Sequence, residues 1–269
     1  MMQNRMMVTG AGSGLGREIA LRWAREGWRL ALSDVNEAGL AETLKMVRDA
    51  GGDGFTHRCD VRDYSQLTAL AQACETRLDG IDVVVNNAGV ASGGFFEELS
   101  LEDWDWQIAI NLMGVVKGCK AFLPLVQKSR GKIINIASMA ALMQAPGMSN
   151  YNVAKAGVVA LSESLLVELK QQEVGVHVVC PSFFQTNLMD SYRGPTPNMK
   201  AQISKLLEAS PITAADIADY IYRQVAEGVF MILPHDEGRM AWKIKQQNPQ
   251  AIYDEMAALA EKKRNKSKS

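Results

Sequence analysis

Thr9-Gly10-Ala11-Gly12-Ser13-Gly14-Leu15-Gly16 joins a short apolar run, Arg5–Thr9, to Gly14–Glu26, where Leu15, Ile19, Ala20 and Trp23 recur at helical spacing. A strand that ends in closely spaced glycines and opens straight into a helix is the first unit of an open α/β sheet. The glycines let the backbone turn tightly. The helix N-terminus behind them offers unpaired N–H groups and partial positive charge, a setting for a pyrophosphate. The spacing is Gly-x-x-x-Gly-x-Gly over Gly10, Gly14 and Gly16, not Gly-x-Gly-x-x-Gly. Taken alone it also fits a tight connection that binds nothing.

Outward from this turn the alternation continues. Arg29–Ser33, Gly54–Asp60, Ile81–Asn86, Lys132–Ala137, Val176–Pro181 and Phe230–Leu233 read as further strands. Ile81–Asn86 is almost wholly apolar and β-branched, as a strand buried on both faces must be. Helical patterns fill Glu37–Ala50, Ser65–Leu78, Asn111–Ser129, Tyr151–Gln172 and Thr213–Ala226. Seven strands with helical crossovers predict a doubly wound, seven-stranded parallel sheet with helices on both faces, Rossmann-like and a single domain. Phe183–Ser210, with Gly194, Pro195 and Pro197, reads as a long loop, a length usually reserved for function. Ile252, Met256 and Leu259 predict a last amphipathic helix, which ends in five basic residues out of eight, a solvated and frayed tail.

Composition narrows the function classes. The chain has 269 residues, 29 Lys+Arg and 30 Asp+Glu, for a net charge of −1, with 47% hydrophobic and 22% charged residues. This is ordinary globular usage and argues against a disordered chain or a disulfide scaffold. A nearly neutral chain lacks the basic footprint of a nucleic-acid binder. No unbroken apolar run nears the roughly 18 residues of a membrane span, and the N-terminus leads into a strand without a long apolar signal segment. Cys59, Cys74, Cys119 and Cys180 form no Cys-x-x-Cys pair and read as reduced, buried residues of a cytoplasmic protein. His57, His177 and His235 lie on or beside separate strands, so structural roles are expected and no metal site.

Asp34 ends the second strand, 18 residues after Gly16. A carboxylate there can accept both hydroxyls of an adenosine ribose and repel a 2′-phosphate. It also fits a solvated strand end. With Ser at position 13 and no basic residue directly after Asp34, the reading favours NAD, with NADP less favoured.

Together the motifs resemble those of the short-chain dehydrogenase/reductase family. Thr-Gly-x-x-x-Gly-x-Gly is that family's turn, Asn86-Asn87-Ala88-Gly89 matches its Asn-Asn-Ala-Gly signature, and Tyr151-Asn152-Val153-Ala154-Lys155 is its Tyr-x-x-x-Lys. Ser138 precedes Tyr151 by 13 residues, the usual spacing. The resemblance implies a catalytic tetrad of Asn111, Ser138, Tyr151 and Lys155. Tyr151 is the general acid/base, Ser138 positions the substrate oxygen, and Lys155 also holds the nicotinamide ribose. Asn111 kinks its helix and holds a water of the proton relay. Tyr151 and Lys155 are i, i+4 on one helix face, and an ammonium there is expected to lower the phenol's pKa.

By the same resemblance Gly10, Ser13, Gly14, Leu15, Gly16, Asp34, Asp60, Val61, Asn87, Ala88, Gly89, Tyr151, Lys155, Pro181, Phe184 and Thr186 contact the cofactor. Ser182 stands where the family's Pro-Gly-x-x-x-Thr segment has Gly. The implied division is a dinucleotide-binding catalytic region over 1–247, with a substrate loop at about 183–210, then a C-terminal helix and basic tail over 248–269.

Met139–Met148 and Phe183–Leu207 are rich in Met, Leu and Phe, which suit an irregular apolar ligand or ordinary packing. Ser138, Met148, Tyr151, Phe183 and Leu188 are the expected substrate contacts. Met139–Met148 holds no Arg or Lys, which argues against an acidic substrate anchored there. The expected function is hydride transfer between NAD and an apolar alcohol or carbonyl compound, in a cytoplasmic homodimer or homotetramer. Alternatives are an NADPH-dependent 3-oxoacyl or other carbonyl reductase, and a non-catalytic nucleotide-sensing regulator.

Overall fold

The computed structural model describes residues 4–195 and 197–267. In chain order the elements are β1 (Arg5–Thr9), α1 (Gly14–Ala24), β2 (Arg29–Asp34), α2 (Glu37–Asp49), β3 (Asp53–Arg58), α3 (Tyr64–Leu78) and β4 (Val83–Asn86). There follow α4 (Leu101–Asn111), α5 (Met113–Ser129), β5 (Lys132–Ile136), α6 (Ala140–Met143), α7 (Ser149–Glu168) and β6 (Gly175–Val179). The chain ends with α8 (Pro197–Glu208), α9 (Ala214–Ala226), β7 (Met231–Ile232), α10 (Asp236–Gln247) and α11 (Pro249–Ser267). The seven strands form one parallel sheet in the order β3-β2-β1-β4-β5-β6-β7. The predicted doubly wound, Rossmann-like single domain is therefore what the chain adopts.

Side chains alternate along each strand between two cores. Met6 and Val8, Leu30 and Leu32, Val83 and Val85, and Ile134 and Ile136 face α1, α2 and α9. Met7, Ala31, Val84, Ile133 and Val178 face α3, α5 and α7. Trp23 on α1 is 2% exposed and meets the Tyr222 ring of α9 edge-on at 4.9 Å. Burying each large apolar side chain contributes about 1.5–3 kcal/mol, so two filled faces support a sheet of this size.

Three segments depart from the sequence reading. The predicted helix Asn111–Ser129 begins ten residues earlier as α4 and breaks at Leu112 (φ −115°, ψ −61°). Ser100 and Asp103 form a reciprocal cap at its start, so the acids of Glu102-Asp103 open a helix and favour its positive end. Leu101–Ser129 is long and apolar enough by composition to cross a membrane; here it is two helices, and Val115, Phe122 and Val126 pack into the core. Phe183–Ser210 contains a 3₁₀ turn, Asn187–Ser191, and the helix α8 rather than a bare loop. Helix α10 was not read at all, and α11 continues through most of the basic tail.

A buried polar chain fixes α7 on the sheet. Asn86 Nδ2 donates to Asn135 Oδ1 (2.9 Å), Asn135 Nδ2 to Ser162 Oγ (3.0 Å), and Ser162 Oγ to the Val158 carbonyl (2.7 Å). Gly118 makes room for it, since a Cβ there would sit 2.1 Å from Asn86 Oδ1. Fully satisfied buried networks of this kind specify one arrangement of the elements that carry them.

Candidate active site

The sheet order reverses between β1 and β4, and a cavity of about 910 Å³ opens beyond the carboxyl ends of the strands there. The glycine turn forms one wall. Gly10 and Gly14 have positive φ (68° and 51°). A Cβ at residue 16 would lie 2.1 Å from the Gly10 carbonyl oxygen, so only glycine fits. Ser13 caps α1 without a side-chain hydrogen bond, and the first turn carries no acid. The helix therefore keeps its N–H groups and positive end for an anion.

Thr9 links this turn to the Asn87-Ala88-Gly89 segment. Its hydroxyl accepts from the N–H groups of Asn87 and Ala88, both at 3.0 Å, and Asn87 Nδ2 donates to the Thr9 carbonyl at 2.9 Å. The two motifs are therefore one clasp across β1 and β4. Asp34 closes the turn from β2: its Oδ2 accepts from Gly12 N–H and its Oδ1 from Asn36 N–H, each at 3.0 Å. The turn, Asp34 and α1 fit a dinucleotide, with free N–H groups that would hold a pyrophosphate and a carboxylate that would accept from a ribose.

The opposite wall carries Ser138, Tyr151 and Lys155. Ser138 follows β5; its Oγ accepts from Ala140 N–H (3.2 Å) and donates to the Pro181 carbonyl (3.4 Å), and its hydroxyl also acts on the Tyr151 phenol. Tyr151 is 7% exposed and Lys155 4%. Lys155 Nζ donates to the Ile136 carbonyl (2.9 Å) and lies 5.8 Å from the Tyr151 ring centre. Burial dominates both groups. It pushes the phenol up to about 12, against the Ser138 hydrogen bond, and pulls the Lys155 ammonium down to about 8. Burial thus outweighs the expected lowering of the phenol, and Lys155 is not among the groups that act on it here.

Asn111 is fully buried. Its Oδ1 accepts from Val90 N–H and its Nδ2 donates to Val90 O, both 2.9 Å. It sits at the α4–α5 break as expected, and its side chain holds the loop after β4. Asp60 and Val61 lie outside the cavity wall. The Asp60 carboxylate faces Arg62 (2.6 Å), and Val61 packs with Cys59 and Leu67. The other residues expected at the cofactor (Gly10, Ser13 to Gly16, Asp34, Asn87 to Gly89, Tyr151, Lys155, Pro181, Phe184 and Thr186) line the cavity. So do the expected substrate contacts Ser138, Met148, Tyr151, Phe183 and Leu188. Met199, in the same loop, carries a side chain outside the described ones.

Two features add to the sequence reading: the partners of His235, for which a structural role is expected, and the C-terminal helices at the cavity. His235 is 1% exposed; its Nδ1 accepts from Ser182 N–H and its Nε2 meets the Phe183 carbonyl, both at 3.1 Å. The pairing with an N–H requires the neutral ring protonated on Nε2, and burial pulls its pKa down in the same direction. This brace holds the backbone where Ser182 replaces the family's Gly. Glu237, Gly238 and Ala241 of α10 and Glu255, Met256, Leu259 and Lys263 of α11 also reach the cavity. The apolar spacing of Ile252, Met256 and Leu259 was the available signal.

Burial of Lys155 has a consequence for stability. Its folded pKa, about 8, lies below the ordinary 10.5. The unfolded chain therefore binds the extra proton between these values, and stability from this group rises with pH there; below pH 8 the folded protein carries the full burial cost. The four cysteines, pushed up to about 11 or 12 by burial, act oppositely above pH 9. Comparison with Lys155→Met cancels them. The stability advantage of the variant is expected to shrink by about 2 kcal/mol between pH 7 and 10, several degrees in Tm. A pH-independent difference in thermal melts would mean that Lys155 is not desolvated.

Residues 4–196 match the family model for short chain dehydrogenase. A solved short chain dehydrogenase/reductase from Burkholderia phymatum, in complex with NAD, superposes with a TM-score of 0.87 at 32% identity, covering 93% of this chain and 96% of that one. A CLA biosynthesis dehydrogenase/reductase of Lactiplantibacillus plantarum is 32% identical over 252 residues, 86% of this chain and 88% of the relative. The probable oxidoreductase EphD of Mycobacterium tuberculosis is 39% identical over 184 residues, 68% of this chain but 31% of its own length; the chain thus spans about a third of that relative. A glycine clasp on β1, a Tyr-x-x-x-Lys helix facing it across the cleft, and these likenesses make the chain a member of the short-chain dehydrogenase/reductase family of oxidoreductases, built to bind a nicotinamide cofactor.

Proposed function

We propose that the chain interconverts an apolar alcohol and its carbonyl compound with NAD as the preferred cofactor, and that Tyr151 is the general acid/base. The observation that carries this is the convergence of Tyr151, Ser138 and Lys155 on one wall of the cavity whose other end holds Asp34. When bound, the nicotinamide ring supplies the hydride acceptor for oxidation and the donor for reduction. Ser138 holds the substrate oxygen beside the phenol. Tyr151 takes the hydroxyl proton in oxidation and returns it in reduction. Lys155, within the same desolvated pocket, favours the ionised phenol whenever it is itself charged. Asn111 and His235 are positioning residues, for the Val90 loop and the Ser182–Phe183 backbone.

A homodimer or homotetramer in the cytoplasm belongs to the same proposal. The test is a screen of alcohols and ketones at the nicotinamide absorbance with both cofactors. Turnover at least tenfold more efficient with NAD(H) than with NADP(H) is expected. Equal or reversed preference points to the NADPH-dependent carbonyl reductase, and cofactor binding without any turnover points to a nucleotide-sensing regulator.

A further inference from the structure

Helix α11 lies across the substrate end of the cavity. Arg264 pairs with Glu97 and stacks 4.0 Å from the Phe95 ring, and Ala260 packs on the cluster of Phe95, Met189, Ile203 and Leu207. The face turned inward runs Ile252, Met256, Leu259, Lys263, at steps of four, three and four residues, which is one stripe of a helix. Lys263 is therefore the next position of an apolar stripe, and it is a cation. It is half-buried, lines the cavity and donates one hydrogen bond, to the Pro146 carbonyl at 2.9 Å. An ammonium has three donors. Burial alone acts on its pKa, downward, with no acid set against it.

Lys245 reaches the same segment from α10, but it bonds Leu142 O and Gln144 Oε1 and stays out of the cavity wall. The segment Met139–Met148, which has no cation of its own, thus receives one from the far end of the chain.

We infer that Lys263 is a specificity-determining residue that reads a single carboxylate on the substrate, so that the physiological alcohol or ketone is an apolar chain ending in a carboxylate. The inference rests on the dehydrogenase reading above and deepens it. Besides Asp34 in the glycine turn, three acids line the cavity, Asp190, Glu237 and Glu255, and each of these three is exposed. Lys155, the other cation on the wall, is engaged with the Ile136 carbonyl on the Tyr151 helix; at the α11 end the half-buried Lys263 is screened by water and salt less than the exposed acids are. Glu255 stands two helical turns from it, roughly 12 Å along the axis. A single half-buried ammonium with one hydrogen bond to the protein matches a monoanion better than a dianion. The stripe of Met256 and Leu259 supplies apolar contact for the chain between the carboxylate and the reacting carbon.

The experiment is a calorimetric titration of the full chain at pH 7 with decanoate, decanamide and decylamine, repeated on Lys263→Met, Lys263→Gln and Lys263→Arg. Decanoate is expected to bind at least tenfold tighter than decanamide. That ratio should fall to within twofold in the Met and Gln variants, with decanamide affinity unchanged, and persist in the Arg variant. The kcat/KM ratio of a medium-chain hydroxy acid to its methyl ester should follow the same pattern. Equal binding of decanoate and decanamide, a ratio that survives both neutral variants, or preference for decylamine overturns the inference. Decanoate selectivity without turnover of any hydroxy compound would leave the anion site standing and remove the dehydrogenase reading. Turnover of esters and acids alike would do the reverse.

Discussion

Tyr151→Phe is expected to lower kcat by at least three orders of magnitude while cofactor affinity changes by no more than a few-fold. The substitution removes one oxygen from a ring that is 7% exposed and already packed on the cavity wall, so shape and burial are retained. What is lost is the proton donor and acceptor beside Ser138. General acid/base groups contribute about 10²–10⁴ in rate, and the upper part of that range is expected for a phenol as little solvated as Tyr151. The glycine turn and Asp34 stand on the other wall and are untouched, which is why affinity serves as the internal control. The result is read by steady-state kinetics beside an equilibrium titration of NADH. A variant with near-wild-type rate would transfer the proton role to another group. A variant that loses cofactor affinity in parallel would make Tyr151 a packing residue.

The sheet was legible because its signal is physical redundancy: β-branched runs buried on both faces cannot be solvated, and each is followed by helical spacing long enough for a crossover. The Tyr-x-x-x-Lys helix was legible for a related reason, since Tyr151 and Lys155 at i, i+4 must share a face. What escaped lay where local sequence and tertiary placement disagree. Ser100 and Asp103 look like solvated residues until their reciprocal cap shows where α4 begins. His235 has no pattern around it, because its meaning comes from two backbone groups more than fifty residues away. Asp60 and Val61 are expected at the cofactor by resemblance alone; in the fold the Asp60 carboxylate pairs with Arg62, and Val61 packs on Leu67. Lys263 shows the limit most directly. A basic tail reads as solvent-exposed on composition, yet the helical stripe that began at Ile252 carries one of its lysines inward.

Asp34→Ala is expected to weaken NADH binding tenfold or more and to reduce the preference for NADH over NADPH by about 100-fold. Two effects contribute, and they separate. The carboxylate accepts hydrogen bonds from Gly12 and Asn36, so its loss frees two backbone donors and loosens the turn, at about 1 kcal/mol each. That damage falls on both cofactors, because both lay their pyrophosphate on the same α1 terminus, and it cancels from their ratio. The second effect does not cancel. A 2′-phosphate brought about 4 Å from the carboxylate meets a like charge, costing about 4 kcal/mol per unit pair at an effective dielectric of 20. Movement and screening reduce that figure, which is why 100-fold rather than 1,000-fold is expected. Asp34→Asn keeps the shape and removes only the charge, so it should recover part of the NADH affinity while showing the same relaxed ratio. If both variants weaken the two cofactors in equal proportion, Asp34 acts as a clamp on the Gly12 turn and nothing in the cleft selects against the phosphate.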